Sequence, residues 1–296
     1  MFTHLQLIAI AVGMIAGADA RQLDLSKPAD IIRAEMRLDC SPDPAKPRLR
    51  WMSGQIVSRR QGEPDQRILN VQGLNASACQ TFDDPKRGPG YRTVTREIMF
   101  YLDPVTGKIL DEWKNPLSGE TVKVVHMFND PVNMPKPKFA YAEDGTPAKW
   151  DGQIVGAYAH IQRANNFFRD NPMGGEYQDY VGGKYSVLEL RTQLIPIKEW
   201  LDTDKPTPSP AMAVWSRIGA WLPWMKMGGR EGMTVLTSTW FSTPDMSQVP
   251  EPLRSEVLSK YPVFATAPPL DDARPSVSSW DGVKAAIAAR RAKDNK

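Results

Sequence analysis

Alternation of apolar and polar residues predicts short β-strands along most of the chain. The strongest run covers 91–133. Its predicted strands are Thr93 to Leu102, Ile109 to Trp113 and Thr121 to Phe128, separated by the turns Asp-Pro-Val-Thr-Gly and Asn-Pro-Leu-Ser-Gly. The same pattern predicts further strands at Trp51 to Val57, Arg67 to Leu74, Phe139 to Tyr141, Gln153 to Arg163, Tyr185 to Gln193 and Met233 to Phe241.

Helical patterns are fewer. Helices are predicted at Leu25 to Leu38 (with Ser26 as N-cap and Pro28 in the first turn), Ala211 to Trp221, Pro250 to Lys260 and Trp280 to Lys296. Short strands joined by Gly and Pro turns predict a mainly β fold, an antiparallel curled sheet or β-barrel-like core with a few peripheral helices. An α+β fold with a curved antiparallel sheet is the alternative. No repeat or boundary is visible, so residues 21–296 are predicted to form a single β-rich domain with a C-terminal helix.

The N-terminus differs from the rest of the chain. Leu5 to Ala16 is apolar and Ala18-Asp19-Ala20 supplies a cleavage site, so residues 1–20 are predicted to be a signal peptide. The apolar run is shorter than the roughly 20 residues of a membrane span, and no later stretch is long enough. The prediction is therefore a periplasmic or secreted protein. An uncleaved anchor stays open because no Lys or Arg precedes the apolar run.

Composition narrows the choice of function. The formal net charge of +3 is small and the cations are scattered, which argues against a nucleic-acid partner. The 26 prolines and 9 tryptophans indicate a loop-rich chain with a large aromatic content. Cys40 and Cys79 are the only cysteines, and in an exported chain they predict a disulfide that contributes about 3–4 kcal/mol. Two unpaired thiols are the alternative.

The alternation also assigns side chains to faces. His126 falls on the apolar side of its strand, and His160 lies where the face of Gln153 to Arg163 becomes polar. Arg96 shares a face with apolar residues and is expected to point inward, while Glu97 falls on the opposite face. Because a buried unpaired charge is costly, Arg96 needs a partner, for which Asp130 is the candidate.

Acid–base chemistry has few candidates, since only three histidines occur and one lies in the predicted signal. We predict His126 or His160 as the base and Tyr158 as the acid, with Arg96 stabilising an oxyanion and Asp130 orienting His126. Each has a structural alternative: a strand-ending Asn-Asp-Pro turn, a hydrogen-bonded semi-buried histidine, or a structural ion pair.

A second group of polar and aromatic residues is predicted to bind a substrate or form its lid. Its members are Tyr101, Asn129, Asn133, Trp215, Trp221, Trp224 and Arg217. Tyr101 is also an alternative to Tyr158 as the acid. Core packing and surface anchoring are the competing explanation for the tryptophans.

Several chemistries have no visible motif. The chain contains no G-x-S-x-G, Walker A, G-x-G-x-x-G or H-E-x-x-H sequence. The few histidines and cysteines offer no zinc-ligand spacing. We therefore predict no cofactor and no metal.

Two segments carry a resemblance to a known family. REIMFYLDPVTGKILDEWKNPLSGETVKVVHMFNDPVN and the later SRIGAWLPWMKMGGREG resemble domain of unknown function family 1838, an uncharacterised and mostly bacterial family. The likeness covers most of the chain after residue 20. It implies, through related proteins, a link to the breakdown of plant-derived aromatic compounds, including loss of formaldehyde from lignin-type dimers.

The leading hypothesis is an exported, cofactor-independent enzyme of the lyase type. It would carry out elimination or C–C cleavage, with formaldehyde release as one form, on a hydrophobic, aromatic small molecule. The alternative is a non-catalytic periplasmic barrel that binds a lipid or aromatic ligand. A surface module that binds partners through the basic C-terminal helix is a third hypothesis. The oligomeric state stays open.

Overall fold

The structure is a computed structural model that describes residues 22–169, 185–206 and 210–294. The predicted signal peptide, residues 1–20, lies outside the described residues. Within these ranges no helix has the length and apolar character needed to cross a membrane.

Strands are the most abundant regular structure in the described chain. They are β1 (Arg48–Arg59), β2 (Gln66–Asp84), β3 (Gly88–Leu102), β4 (Glu112–Lys114), β5 (Thr121–Lys123), β6 (Met127–Asn129), β7 (Lys138–Phe139), β8 (Gln153–Val155), β9 (Tyr158–Arg169), β10 (Tyr185–Pro196), β11 (Met212–Gly219) and β12 (Met233–Thr243). The α-helices are α1 (Pro28–Asp39), α2 (Ile197–Leu201), α3 (Leu253–Lys260) and α4 (Ser279–Asp294).

A single ten-stranded sheet organises the fold. Its strand order is β6-β3-β2-β1-β12-β11-β10-β9-β8, with β7 pairing β3 at one edge, and every pairing is antiparallel. The sheet thus consists of an N-terminal meander and a C-terminal meander joined at the centre by β1 and β12. It is open, since its two edges do not pair with each other in the described chain. These features confirm the predicted mainly β fold with a curled antiparallel sheet.

Interactions between distant strands show that the sheet curls. Glu97 in β3 and Glu189 in β10 are five strand spacings apart, roughly 24 Å along a flat sheet. Nevertheless the charge of Glu189 acts on Glu97, and both residues line one cavity. The two meanders therefore face each other across a concave surface.

Different elements cover the two surfaces of the sheet. On the outer surface of β1–β3, α3 and the 3-10 helix Pro262–Ala265 pack against a core that includes Leu74, Ile98 and Phe100. The hairpin β4–β5 and the 3-10 helix Pro223–Met225 pack with Met52, Val71 and Met99 on the concave side.

The N- and C-terminal helices also contribute to the concave side. Helix α1 packs near Tyr91 and the two cysteines, and α4 approaches β6, with Val283 and Ile287 buried beside Val125. The concave side is thus bordered by helices and loops.

The predicted disulfide is confirmed. Cys40, immediately after α1, bonds to Cys79 in β2 with an S–S distance of 2.03 Å. Both cysteines are buried with Ile32, Tyr91 and Ala140. The bond ties α1 to the sheet across a sequence separation of 39 residues.

One predicted helix is wrong. Residues 211–221 contain the strand β11, not a helix, and this strand pairs with β10 on one side and β12 on the other. Its alternation places Ala213, Trp215 and Arg217 toward the cavity. Pairing on both sides outweighs the local helical pattern.

Smaller corrections concern element ends. Lys27 is the N-cap of α1 and makes no side-chain capping bond; the predicted cap, Ser26, bonds to Asp24 instead. Pro28 does begin the helix, as predicted. The predicted strand Thr121 to Phe128 is broken into β5 and β6. The predicted strand Gln153 to Arg163 is interrupted between β8 and β9 by a turn at Gly156, which has a φ of 58°.

Candidate functional site

A cavity of about 880 Å³ lies on the concave side of the sheet. Its volume falls in the range of small-molecule pockets. Side chains of β1, β2, β3, β6, β10, β11, β12 and α4 line it. Residues of both meanders therefore build one site.

A row of polar side chains crosses the cavity floor. In the strand register Ser242 pairs with Arg50, Arg50 with Asn75, Asn75 with Glu97, and Glu97 with Asn129. Side chains in register on adjacent strands lie on the same face of a sheet. All five line the cavity.

Glu97 lies between the two asparagines of this row. The Asn75 Nδ2 donates a hydrogen bond to Glu97 Oε1 at 2.9 Å, and Asn129 is a second side-chain partner. Protein atoms surround the carboxyl group while it still faces the cavity. Burial raises the pKa of Glu97, and the hydrogen bonds from both asparagines and the charge of Arg50 offset this only in part. Glu97 can therefore exchange a proton closer to neutral pH than an ordinary glutamate.

Arg50 lies two strands away from Glu97 in the same row, with Asn75 between them. Its Nη2 donates to the Asp39 carbonyl oxygen at 3.2 Å and to Asn75 Oδ1 at 3.4 Å. Its Nε is buried and has no hydrogen-bond partner among the described residues. Burial lowers the pKa of Arg50, and the charge of Arg191 lowers it further, whereas the negative charges of Asp39 and Glu97 partly offset these effects.

Aromatic side chains form the apolar wall of the cavity. The Trp215 and Trp240 rings meet edge to face with centroids 6.5 Å apart, and the ring centroids of Tyr101 and Trp224 are 5.0 Å apart. The indole Nε1 atoms of Trp224 and Trp240 are buried without a hydrogen-bond partner in the described chain. Buried indole N–H groups usually find an acceptor. The wall thus offers ring surface against which an aromatic ligand can pack.

Most of the residues predicted to bind a substrate reach this cavity. They are Tyr101, Asn129, Trp215, Trp224 and Arg217. Trp221 is buried in the neighbouring core, where its Nε1 donates to the Arg230 carbonyl oxygen at 3.1 Å. Asn133 lies apart from the cavity lining, accepts a bond from the Thr95 amide and donates to the Asp272 carbonyl oxygen at 3.1 Å.

His126 does not line the cavity. It packs edge to face on Phe100, with centroids 5.2 Å apart, and its Nδ1 accepts a hydrogen bond from the Tyr101 amide at 3.2 Å. Burial lowers the pKa of His126, an effect that the charge of Asp111 and the Leu110 carbonyl partly offset. The backbone thus already occupies the Nδ1 atom of His126.

The structure corrects the expected orientation of the Arg96 side chain in β3. The predicted pairing is confirmed, because Arg96 Nε lies 2.9 Å from Asp130 Oδ2. However, Arg96 faces the outer surface, where its Nη1 donates to Ala267 O at 2.8 Å and to Thr266 Oγ1 at 3.1 Å. Asp130 also pairs with Arg274 at 2.8 Å. The buried face that carries Arg96 is therefore not the cavity face.

His160 and Tyr158 lie in β9, near the sheet edge opposite to β6. Tyr158 is exposed and His160 is half-buried, and neither lines the cavity. The structure therefore does not gather the five predicted catalytic residues into one site. Their catalytic roles stay predictions.

The sequence interpretation missed the charged centre of the cavity. Glu97, Arg50, Asn75, Glu189 and Arg191 all line it. A signal existed in β3, where Glu97 alternates with Met99 and Tyr101 and so interrupts a second apolar face. A strand that is apolar on both faces is buried on both, and a charge on either face then needs a function or a partner.

The described residues contain no cluster of three or more His, Cys, Asp or Glu side chains arranged to hold a metal ion. The groups able to hold a charged ligand are the cavity arginines, which suit an anion.

Fold and cavity together define a class, a curled open sheet that encloses a small-molecule cavity. The chain belongs to the family described as protein of unknown function (DUF1838), whose model matches residues 45–287. The resemblance drawn from the two sequence segments is thus confirmed. No curated protein and no solved structure matches the chain.

Proposed function

We propose that the protein is an enzyme that performs acid–base chemistry, by elimination or C–C cleavage, on an aromatic small molecule bound in the cavity. The observation that carries the proposal is the position of Glu97, a carboxyl group with a raised pKa between two asparagine amides, facing a cavity with aromatic walls. Perturbed carboxyl groups in a cleft are typical of catalytic acids and bases.

The arrangement supports a simple proton cycle. The Glu97 carboxylate takes a proton from a substrate hydroxyl or C–H group, and a C–C or C–O bond breaks as a carbonyl or alkene forms. Arg50, in the same polar row, adds positive charge near the position where negative charge develops on the substrate. In a cleavage, the proton returns from Glu97 to the carbanion. In an elimination, it passes to the leaving group. No electrons are gained or lost, so the cycle needs no oxidant or reductant.

We further propose that the protein works outside the cytoplasm. The Cys40–Cys79 disulfide supports this, because disulfides persist in oxidising compartments. The predicted signal peptide at residues 1–20 supports the same location.

The test compares wild-type protein with Glu97→Gln. Purified protein is incubated with a panel of aromatic dimers and hydroxylated lipids without added cofactors, and the products are identified by mass spectrometry. Gln keeps the size of the side chain and an acceptor for Asn75 but cannot exchange a proton. We expect wild type to convert one class of compound and Glu97→Gln to lose about 10²-fold or more of the rate.

His126→Gln is the matched comparison, since His126 is one of the two bases, with His160, predicted from sequence. Loss of turnover in a folded His126→Gln protein, with Glu97→Gln active, would overturn the assignment to Glu97. Unchanged masses across the panel, with a ligand carried through purification, would favour the non-catalytic binding protein.

A further inference from the structure

The arginines that line the cavity differ in their partners. Arg163 Nη2 lies 2.7 Å from Asp151 Oδ1, and Arg217 Nε lies 3.5 Å from Glu189 Oε1. These two cations are therefore neutralised within the protein.

Arg50 and Arg191 form no such ion pair with the described residues. In residues 22–169, 185–206 and 210–294, no carboxylate lies within ion-pair distance of either guanidinium. The charges of Asp39 and Glu97 act on Arg50 from beyond ion-pair distance, and the Glu97 carboxyl is held by the amides of Asn75 and Asn129. The buried Nε of Arg50 also lacks an acceptor.

The two guanidinium groups belong to opposite meanders and act on each other across the cavity. The positive charge of Arg191 lowers the pKa of Arg50, in addition to the effect of burial. Two like charges that act on each other are unfavourable, and more so where neither has an ion-pair partner to offset the repulsion. An anion placed between them would remove both penalties.

We propose that Arg50 and Arg191 form an anion subsite and that the natural ligand of the cavity is an aromatic carboxylate. A guanidinium binds a carboxylate with two parallel hydrogen bonds, which fixes orientation as well as position. The aromatic wall of Trp215, Trp224 and Trp240 receives the ring system. Anchoring the carboxylate at Arg50 places the rest of the ligand beside Glu97.

The position of Arg191 fits entry of such a ligand. Arg191 is exposed and lies in β10, whereas Arg50 lies in the central strand β1 and is half-buried. An anion that arrives from solvent therefore meets Arg191 before it reaches Arg50.

This inference rests on the proposed function, since it names the substrate class of the same site. Its test is therefore a binding measurement that needs no turnover. Isothermal titration calorimetry compares 2-naphthoate with 2-naphthamide, which have the same ring and nearly the same shape but differ in charge. We expect wild type to bind 2-naphthoate about 10- to 100-fold more tightly.

Two variants remove the subsite without removing volume. Arg50→Met and Arg191→Met should each lower the affinity for 2-naphthoate about tenfold or more and leave 2-naphthamide nearly unchanged. Arg191 is exposed, so its variant keeps the test valid if Arg50→Met fails to fold. Arg59→Met, an exposed arginine at the end of the same strand β1, is the control and should leave both affinities unchanged.

The outcomes separate the two proposals. Equal affinities for the two compounds in wild type, no binding of either, or a loss of both compounds in the arginine variants would overturn the anion subsite. Glu97→Gln should bind 2-naphthoate as tightly as wild type or more so, because it removes a nearby negative charge. Retained binding with no turnover in any assay would overturn the enzymatic proposal and leave the subsite standing.

Discussion

Arg96 and Glu97 are neighbours in β3, yet their side chains lie on opposite faces of the sheet and in different surroundings. Arg96 is surrounded by acceptors from Asp130, Thr266 and Ala267 on the outer face. Glu97 faces the cavity, with a pKa raised by burial and an arginine nearby whose Nε has no partner in the described chain.

The contrast between the surroundings of Arg96 and Glu97 shows which buried charges indicate function. On the outer face the protein supplies a counter-charge at 2.9 Å and carbonyl and hydroxyl acceptors, so the charge serves to attach the segment after α3 to the sheet. On the cavity face the partners are incomplete, so part of the electrostatic stabilisation is left for a ligand.

The largest loss of stability is expected from removing the disulfide that ties α1 to the cavity side of the sheet. Replacing both Cys40 and Cys79 with alanine should lower the free energy of unfolding by about 4 kcal/mol, because the bond closes a loop of 39 residues. Urea unfolding of wild type and the double variant measures this. A variant as stable as wild type would show that packing of α1 holds this side without the bond.

A slightly smaller loss of stability is expected from replacing Arg96 on the outer face. Arg96→Met should lower the free energy of unfolding by about 3 kcal/mol, because Asp130 loses a buried partner and two oxygens lose their donor. This loss lies at the low end of the usual cost of breaking a buried ion pair, because Asp130 keeps its ion pair with Arg274. Urea unfolding measures it, with Arg59→Met as the exposed control. Equal stability of the two variants would contradict the contrast between the faces.

The smallest effect is a pH dependence carried by Glu97. A carboxyl group with a raised pKa binds more protons in the folded than in the unfolded state, so its contribution to stability falls as pH rises above the ordinary glutamate range. Relative to wild type, Glu97→Gln should therefore gain stability as pH rises from 4.5 through the folded-state pKa and not below that window. Urea unfolding of both proteins across this range measures the difference. A constant difference would show that the pKa of Glu97 is not raised.

The fold was largely predictable because its signals are local. The turn between β3 and Ile109, the helices α3 and α4 and the pairing of Cys40 with Cys79 all follow from short sequence patterns. Residues 211–221 were not predictable in this way, since their helical pattern was outweighed by strands on both sides.

The site was only partly predictable for a physical reason. Period-two alternation places Arg96 and Glu97 on opposite faces but cannot say which of two buried faces borders a cavity. That choice depends on where α3 and the following segment pack, a long-range property of the chain. Tyr101 and Trp215 were found because aromatic residues favour both cores and pockets, whereas Arg50 carries no local signal.

The central pairing of β1 with β12 has a consequence for the order of events during folding. Arg48–Arg59 and Met233–Thr243 are the first and last strands of the described chain, so their pairing closes a loop that contains all the other described strands. Such non-local pairing is slow because loop closure costs entropy before contacts form. Each meander can assemble from neighbouring strands, but the cavity comes into being only when the two halves join. Binding competence therefore arises last, after nearly the whole chain has been synthesised.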